Sequence, residues 1–353
     1  MRWPGKTWLA LAAALALAGC ATGPRLMDES DPATQAFYGL ENAGFTGDFA
    51  ISRPGEVDTI FYGGSEEDAG DRVIEGWPWA SVTKQVMAVL VMREVEDGRL
   101  SLDTDVGQYV PRLRHAGVTV EDLLRHRSGL PQPDKSATDE EDFPSFYTAE
   151  LDRLDWCTRG LRPRPDAGLW EYNNCDYIVL SAVLEAVSDS SVDLLLAQGV
   201  GLESGWINTS FFSRDDTRYF AGRTPMAASR VAGYEAAAGL VGPLDDMLAF
   251  DRALMDGLLL SEESLAALWD SDPALGYMAL GQWVFEAPLT GCNGAVKIVE
   301  RRGAIGKYQV RNIILPESGI ALALATDQPE FQFGELWSGE GPLHATLSAV
   351  ACD

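Results

Sequence analysis

The sequence predicts an α+β fold, in which an antiparallel sheet flanked by helices is built from both ends of the chain around an inserted, mainly helical lobe. Two observations lead to this prediction. Runs rich in β-forming residues occur near the start of the chain and return near its end, whereas the middle has apolar residues at helical spacing. Strands at both ends of a helical middle imply one shared sheet. The predicted strands are residues 47–52, 57–62, 281–286, 295–300, 308–314 and 319–325, and the helical lobe spans about 101–265.

Local patterns justify the first elements. The segment Arg53-Pro54-Gly55-Glu56 separates the first two strands and predicts a hairpin. A long helix is predicted from Ser81 to Glu96, because apolar side chains recur there at helical spacing. Ser81 is therefore expected at a helix N-terminus, where free N–H groups and the positive end of the helix dipole favour developing negative charge. The last strand is preceded by a predicted turn at Pro316-Glu317-Ser318-Gly319.

Length and charge limit the classes of function. The 353 residues exceed the usual size of one domain, but a two-lobed enzyme with one shared cleft accommodates them. The chain has 27 basic and 53 acidic residues, a formal net charge of -26. Nucleic-acid binding needs a basic surface, so this composition argues against it.

The N-terminus predicts export. Arg2 and Lys6 precede an apolar run from Trp8 to Leu17, which is shorter than the about 20 residues of a bilayer-spanning helix but suits the core of a signal peptide. We therefore predict that residues 1–19 are a signal peptide.

The end of this segment, Leu17-Ala18-Gly19-Cys20, resembles a bacterial lipobox. The resemblance implies cleavage before Cys20, attachment of lipid to its thiol and anchoring to a membrane. Residue 21 is Ala rather than Asp, which by resemblance to sorting patterns favours the outer membrane, facing the periplasm. The alternative is an ordinary secretory signal that happens to end at a cysteine. Residues 20–35 are predicted to be a lipidated tether, and 36–353 the folded domain.

Four cysteines follow Cys20, and an exported protein meets oxidising conditions that favour disulfides. Three pairings can be drawn. We expect Cys157 to pair with Cys175, which closes a short loop, and Cys292 to tie Cys352 back to the sheet. A metal site is the competing interpretation. The spacing of these cysteines and of His115, His126 and His344 is unlike that of metal ligands, so we predict no metal and no other cofactor.

Three short motifs carry the candidate chemistry. Ser81-Val82-Thr83-Lys84 places a hydroxyl and an amine three residues apart, on one face of a helix, so the amine could take the proton of the hydroxyl. Such a pattern arises by chance about once in a chain of this length. Two partners follow in order, Tyr172-Asn173-Asn174 and Arg301-Arg302-Gly303, the latter at the start of a predicted strand.

With these motifs the chain resembles the serine β-lactamase and penicillin-binding superfamily, specifically the class C β-lactamases and their esterase and D-amino-peptidase relatives. The resemblance covers the chain from about residue 40 almost to its end. It extends to DGRLSLDTDVGQY at 98–110, VTVEDLLRHRSGLP at 118–131, YNNCDYIVLSAVLEA at 172–186 and AAGLVGPLDDMLAFDRAL at 237–254. The family's fold is an antiparallel sheet with an inserted helical lobe, and its active site lies between the two.

The resemblance implies a role for each catalytic candidate. Ser81 would attack a carbonyl carbon and form an acyl-enzyme, with Lys84 as a base that burial and a nearby cation keep neutral. Tyr172 would relay the proton to the leaving group and help activate water, and flanking cations are expected to let it act near neutral pH. Asn174 would bind the substrate's amide and orient Lys84. The backbone N–H groups of Ser81 and Ala304 would form the oxyanion hole.

The third motif departs from the family pattern. Many relatives have K-T-G or H-x-G, whereas this chain has Arg301-Arg302-Gly303. Gly303 keeps the small residue that lets substrate lie along the strand. The cation of Arg301 would suit the carboxylate of a β-lactam or peptide, although an alignment shifted by one residue puts Arg302 there instead.

Two other segments have simpler explanations. His126-Arg127-Ser128-Gly129 resembles the family's structural H-T-S-G turn, so Ser128 is not expected to be a second nucleophile. Trp77, Trp79 and Trp170 flank the motifs, and either an acyl pocket or the core would account for each.

We therefore expect an exported, lipid-anchored serine hydrolase of the class C type. It would act on a small-molecule or peptide substrate with an acyl carbonyl, such as a β-lactam or a related amide or ester. The alternatives are an esterase or D-amino-peptidase that does not turn over β-lactams and, from another class, a catalytically silent lipoprotein that binds cell-wall peptides.

Overall fold

The main structural feature is a six-stranded antiparallel sheet. The computed structural model describes residues 29–56, 58–63, 73–74, 76–159, 169–220 and 226–352. The strands of this sheet are β1 (Asp48–Ser52), β2 (Thr59–Tyr62), β9 (Trp283–Pro288), β10 (Ala295–Ile305), β11 (Tyr308–Leu315) and β12 (Ile320–Thr326), in the order β2-β1-β12-β11-β10-β9 across the sheet. The described strands outside it are β3 (Val73–Ile74), β4 (Trp77–Pro78), β5 (Ser210–Phe211), β6 (Tyr219–Phe220), β7 (Met226–Ala227) and β8 (Leu240–Gly242).

The two ends of the chain meet between β1 and β12. Phe49 of β1 lies opposite Leu324 of β12, and β1 also pairs with β2 as the predicted hairpin. The predicted α+β class, with one antiparallel sheet shared by both ends of the chain, is confirmed.

The helices flank the sheet on both faces. The described helices are α1 (Pro32–Asn42), α2 (Thr83–Glu96), α3 (Val120–Leu124), α4 (Ser145–Thr148), α5 (Arg153–Thr158), α6 (Asn174–Ser188), α7 (Val192–Leu196), α8 (Leu202–Ser204), α9 (Ala228–Ala232), α10 (Glu235–Ala238), α11 (Leu244–Met255), α12 (Glu262–Leu268) and α13 (Pro342–Ala351). Within the described ranges, none of them is long and apolar enough to cross a membrane.

The two faces of the sheet bury different side chains. On β12, Leu322 and Leu324 pack into the core beneath α1 and α13, whereas Ala321, Ala323 and Ala325 belong to the core shared with the helical lobe. Alternate residues of a strand point to opposite faces, which explains this division. The small alanines allow α11 to pack closely against β12 and β1.

Several predicted boundaries shift. Ser81 precedes the long helix, in a 3-10 helix formed by Ala80–Val82, and the α-helix begins at Thr83. The predicted strand at 281–286 begins only at Trp283. Gly281 has a positive φ of 82°, and a Cβ there would lie 2.8 Å from the carbonyl oxygen of Lys84, so close packing against α2 excludes it from the strand.

The folded domain begins before residue 36. Helix α1 begins at Pro32, and Asp31 caps it by accepting a hydrogen bond from the Thr34 N–H at 3.2 Å. Ala33 is completely buried, so residues 32–35 belong to the domain rather than to a tether. The predicted signal peptide, Cys20 and residues 20–28 of the tether lie outside the described residues.

The inserted lobe is mainly helical but also holds parts of two small sheets. These have the strand orders β3-β6-β7 and β4-β8-β5, and the second joins the segment before Ser81 to the lobe. Strands of two or three residues leave too short an alternation to be recognised in the sequence.

The four described cysteines form two disulfides with the expected pairing. Cys157 of α5 is bonded to Cys175 of α6, and Cys292, between β9 and β10, is bonded to Cys352 after α13. The first holds the start of α6 within the lobe, and the second fastens the C-terminus to the sheet.

Candidate active site

Ser81 lies in a sharp turn between strand β4 and helix α2. The preceding residue, Ala80, has a positive φ of 47°, which is unusual for a residue other than glycine. Trp79 fixes the turn, since its N–H donates to the carbonyl of Leu240 at 2.8 Å and its indole to that of Gly242 at 3.1 Å. The turn leaves Ser81 partly exposed above a buried helix.

Lys84 lies one turn further along, with Nζ 3.2 Å from Ser81 Oγ. Its Nζ is also 2.7 Å from Asn174 Oδ1 and 2.7 Å from the carbonyl oxygen of Ala237. Lys84 is 0% exposed. Burial, followed by the positive charge of Arg301, lowers the pKa of its amine well below the usual range.

This environment suits a neutral amine. A neutral amine has two N–H groups and one lone pair, and the two carbonyl oxygens of Asn174 and Ala237 can accept both N–H groups. The lone pair of Lys84 is then left for the hydroxyl proton of Ser81. Lys84 therefore lies within reach of this proton, as the predicted role of general base requires, and the role itself stays a prediction.

The hydroxyl of Tyr172 lies 2.6 Å from Ser81 Oγ, and Nη2 of Arg301 donates to it at 2.9 Å. Burial raises the pKa of Tyr172, and this effect outweighs the lowering by the Arg301 charge and by the hydrogen bond with Ser81. The expectation that flanking cations bring Tyr172 into titration near neutral pH is therefore wrong, because the loss of water around the phenol outweighs the effect of the cations on its pKa.

When Tyr172 is protonated, the donor and the acceptor of its two hydrogen bonds are fixed. Arg301 can only donate, so the phenol oxygen accepts from it and the phenol O–H points to Ser81. Lys84 Nζ lies 3.2 Å from Ser81 Oγ, and when the amine is neutral its lone pair can accept the proton of this hydroxyl. The four groups form one continuous chain of hydrogen bonds that ends on Lys84.

Asn174 is the first residue of helix α6. The side chain of Asn173 caps this helix by accepting from the Cys175 N–H at 2.9 Å. The amide nitrogen of Asn174 donates to the hydroxyl of Tyr147 at 2.7 Å, which turns its oxygen toward Lys84. The cap and the disulfide of Cys175 thus fix Asn174 beside the base.

The third motif places its two arginines on opposite faces of β10. Arg301 faces the site and donates from Nε to the Ser81 carbonyl at 2.9 Å, whereas Arg302 pairs with Glu300 and Glu335. The position left open by the alignment therefore belongs to Arg301. Its exposure is 0%, so the expected contact with a substrate carboxylate is not available in this arrangement.

Gly303 allows the strand to approach the nucleophile. A Cβ at this position would lie 2.7 Å from the carbonyl oxygen of Trp79 and 3.1 Å from the backbone nitrogen of Ser81, so a larger residue would push the strand away. The next residue, Ala304, is exposed beside this contact. The oxyanion hole formed by the N–H groups of Ser81 and Ala304 stays a prediction.

Ser128 has a structural environment. Its hydroxyl makes a short hydrogen bond to Asp176 Oδ1, and Nδ1 of His126 lies 2.9 Å from Asp176 Oδ2. All three side chains are buried, and His126 has a positive φ of 59°. This geometry agrees with the predicted structural turn. Because its hydroxyl is buried and bonded to Asp176, Ser128 is not available as a nucleophile.

The tryptophans do not form a common acyl pocket. Trp79 is completely buried, Trp77 donates to Asp48 Oδ2 at 2.7 Å, and Trp170 is 41% exposed. Among the described residues, no group of three or more His, Cys, Asp or Glu side chains is placed to hold a metal ion.

Sequence reasoning missed Asp134 and Tyr147, which border the site. Tyr147 makes a short hydrogen bond to Asp134, and both contact the amide nitrogen of Asn174. They lie 40 and 27 residues before Asn174 in the chain, so no local spacing connects them to it.

The chain is similar in sequence to a known protein family and to curated relatives. The family described as Beta-lactamase matches residues 52–337. The putative penicillin-binding protein PbpX of Bacillus subtilis is 22% identical over 276 residues, which are 73% of this chain and 66% of that protein. The chain spans about two thirds or less of the length of the curated relatives it matches.

Solved structures share the fold. The penicillin-binding protein from Bacillus halodurans aligns with a TM-score of 0.67 at 20% identity, over 89% of this chain and 98% of that one. The D-amino acid amidase from Ochrobactrum anthropi, complexed with D-phenylalanine, aligns with a TM-score of 0.69 at 19% identity, over 92% of this chain and 100% of that one.

The family match covers most of the chain and includes Ser81, Lys84, Tyr172 and Arg301. This chain belongs to the beta-lactamase family and so to the superfamily of serine hydrolases that also contains the penicillin-binding proteins.

Proposed function

We propose that this protein is an amidohydrolase that cleaves an amide or ester through an acyl-enzyme on Ser81, and that its substrates are amino acid amides or short peptides rather than β-lactams. The observation that carries the proposal is the continuous hydrogen-bonded chain from Arg301 through Tyr172 and Ser81 to Lys84. Among family members we place it with the class C type, because a tyrosine of a Y-x-N motif contacts the nucleophile.

In the proposed reaction, Ser81 Oγ attacks the carbonyl carbon and its proton moves to Lys84 Nζ. Tyr172 gives its phenolic proton to the leaving nitrogen, and the bond between carbon and nitrogen breaks. Arg301 stabilises the transient phenolate until Lys84 returns a proton to it. Water then attacks the ester, giving one proton to the basic groups and returning Ser81 to its hydroxyl form. The sum is amide plus water to acid plus amine.

Two observations favour amides over β-lactams. Recognition of a substrate carboxylate needs an accessible cation, and Arg301 is completely buried on Ser81 and Tyr172. Lys135, an exposed cation near the site in the described part of the chain, is paired with Glu171 at 2.7 Å. The D-amino acid amidase from Ochrobactrum anthropi has the same fold over nearly the whole chain, so the fold is compatible with an amide substrate.

The test is hydrolysis of phenylalanine amide, in its D and L forms, and of a cephalosporin by the soluble protein that starts after Cys20. We expect release of ammonia from an amide, a loss of at least about 10³-fold in Ser81→Ala, and retained activity in Ser128→Ala as the matched serine control. Binding without turnover by the folded wild-type protein would favour a silent binding protein. Cephalosporin turnover with intact amides would favour a β-lactamase.

We also propose export and lipid anchoring at Cys20. The apolar run before Cys20 supports this, as do two disulfides, which persist in oxidising compartments. Expression of the full chain in a bacterium and mass analysis of the mature protein tests the proposal. We expect a lipidated Cys20 at the new N-terminus and loss of the lipid in Cys20→Ala. An unmodified Cys20 in the mature wild-type protein would contradict it.

A further inference from the structure

An exposed carboxylate, that of Asp134, lies at the edge of the active site. It belongs to the 3-10 helix Pro133–Lys135 and is joined to the catalytic groups through Asn174. The amide nitrogen of Asn174 is 3.3 Å from Asp134 Oδ1 and 3.4 Å from Oδ2, and its amide oxygen accepts from Lys84. One side chain therefore separates Asp134 from the proposed base.

Aromatic rings stand beside this carboxylate. Tyr147 makes a short hydrogen bond to Asp134 Oδ1, and the ring of Tyr147 stacks on that of Tyr234 with centroids 3.7 Å apart. Negative charge from Asp134 raises the pKa of both phenols in addition to the effect of burial, which places the carboxylate near both rings. Tyr147 and Tyr234 are themselves buried, so they hold Asp134 in place, and it is the exposed carboxylate that can bind an organic cation.

The described positive charges near the site are engaged elsewhere and do not neutralise Asp134. Arg301 is buried on Tyr172 and Ser81, and Lys84 has a strongly lowered pKa. The neighbouring Lys135 pairs with Glu171. Within the ranges that the structure describes, no ion pair joins Asp134 to a cation, so its exposed side chain can receive one that arrives with the substrate.

We propose that Asp134 is a substrate-binding residue that holds the α-ammonium group of an amino acid amide, or of the N-terminal residue of a peptide, while Ser81 attacks the adjacent carbonyl. This inference rests on the proposed amidohydrolase function and specifies its substrate class. In such a substrate one carbon separates the ammonium from the carbonyl carbon, so the group that binds it must border the catalytic residues. Asp134 meets this condition through Asn174.

The proposal predicts selectivity for a free amine. Acetylation of the α-amine removes the positive charge and should weaken binding by about 10- to 100-fold, the usual value of a hydrogen bond to a charged group. In Asp134→Asn the preference should disappear, because the amide can still accept from Tyr147 and Asn174 but carries no charge. The matched control is Glu263→Gln in α12, an exposed carboxylate outside the site that makes the same change in net charge.

The experiment measures binding separately from turnover. Calorimetry on Ser81→Ala compares D-phenylalanine amide with N-acetyl-D-phenylalanine amide, and each is measured again with Asp134→Asn or Glu263→Gln added. We expect a 10- to 100-fold preference for the free amine that Asp134→Asn abolishes and Glu263→Gln keeps. Equal binding of the two amides, binding of neither, or a preference that survives in Asp134→Asn would overturn the proposal. Turnover by the wild-type protein tests the amidohydrolase function separately, so the two can fail independently.

Discussion

Arg301 donates a hydrogen bond from Nη2 to the phenol oxygen of Tyr172 at 2.9 Å, and the arginine is completely buried. A buried cation acts strongly on its neighbours, because the surrounding protein screens charge less than water does. It lowers the pKa of Lys84 and offsets part of the rise that burial causes for Tyr172. In the proposed mechanism, Arg301 therefore acts electrostatically, through its effect on the pKa values of Lys84 and Tyr172.

Removal of this charge should move the pH dependence of the enzyme. In Arg301→Met the pKa of Lys84 should rise, because the cation that repels its proton is gone. The acid limb of the kcat/KM profile should shift to higher pH, and activity at pH 7 should fall by about 10²-fold. Arg302→Met is the matched control, since Arg302 is the next residue of the strand and faces away. An unchanged acid limb in Arg301→Met would contradict this role.

Lys84 should behave as a base that is neutral well below pH 10.5, its ordinary value. The wild-type activity should therefore rise as the amine loses its proton and become constant well before that pH. Lys84→Met should lower kcat by about 10²- to 10⁴-fold. Lys297→Met, on β10, controls for the loss of a lysine. Activity that rises only close to pH 10.5, or a Lys84→Met variant with nearly full activity, would exclude this assignment.

The two disulfides should differ in their effect on activity. In the chain-entropy description, breaking the Cys157–Cys175 bond, with a separation of 18, costs about 3 kcal/mol, and breaking Cys292–Cys352, with a separation of 60, about 4 kcal/mol. Only the first adjoins Asn174. Double serine variants of each pair, compared by urea unfolding and by kcat, should both lose stability, but the Cys157–Cys175 variant should lose more activity. Equal activity losses would argue against a positioning role for this bond.

Asp251 should make the protein less stable as pH rises. It is completely buried, Asn312 donates to its Oδ1 at 2.8 Å, and burial raises its pKa well above the usual 3.8. Between pH 3.8 and the raised pKa, the folded protein keeps a proton that the unfolded chain has released. The free energy of unfolding therefore falls as pH rises through this range.

The isosteric Asp251→Asn variant removes this dependence. Urea unfolding at pH 5 and pH 8 should show that the variant gains stability relative to the wild type at the higher pH, by about 1.4 kcal/mol or more, the equivalent of one pKa unit. Asp193→Asn, at an exposed position in α7, should leave the difference between the two pH values unchanged. Parallel pH profiles for the wild type and Asp251→Asn would show that this carboxyl does not titrate as described.

Much of the fold was predictable because its signals are local. Runs of β-forming residues indicate the main strands, and the spacing of Ser81 and Lys84 predicts their contact, which the structure has at 3.2 Å. The short strands β3 to β8 were not predicted, because two or three residues depend on their partners rather than on their own pattern.

The sequence alone could not predict the direction in which the pKa of Tyr172 shifts, nor the position of Asp134 beside Asn174. The sequence indicates that cations lie near Tyr172, but only the packed structure shows that burial outweighs them. Asp134 reaches Asn174 across 40 residues of chain, a contact that the fold creates. Charges and hydrogen bonds at such sites depend on long-range packing.

The proposed mechanism requires that Ser81 becomes acylated. Mass spectrometry of peptides from the protein that starts after Cys20, quenched with acid during reaction with the activated ester p-nitrophenyl acetate, tests this directly. We expect an acyl group on the peptide that contains Ser81, fragment ions that locate it on this residue, and its absence in Ser81→Ala. An acyl group on Ser128 instead, or turnover by Ser81→Ala at the wild-type rate, would show that Ser81 is not the nucleophile.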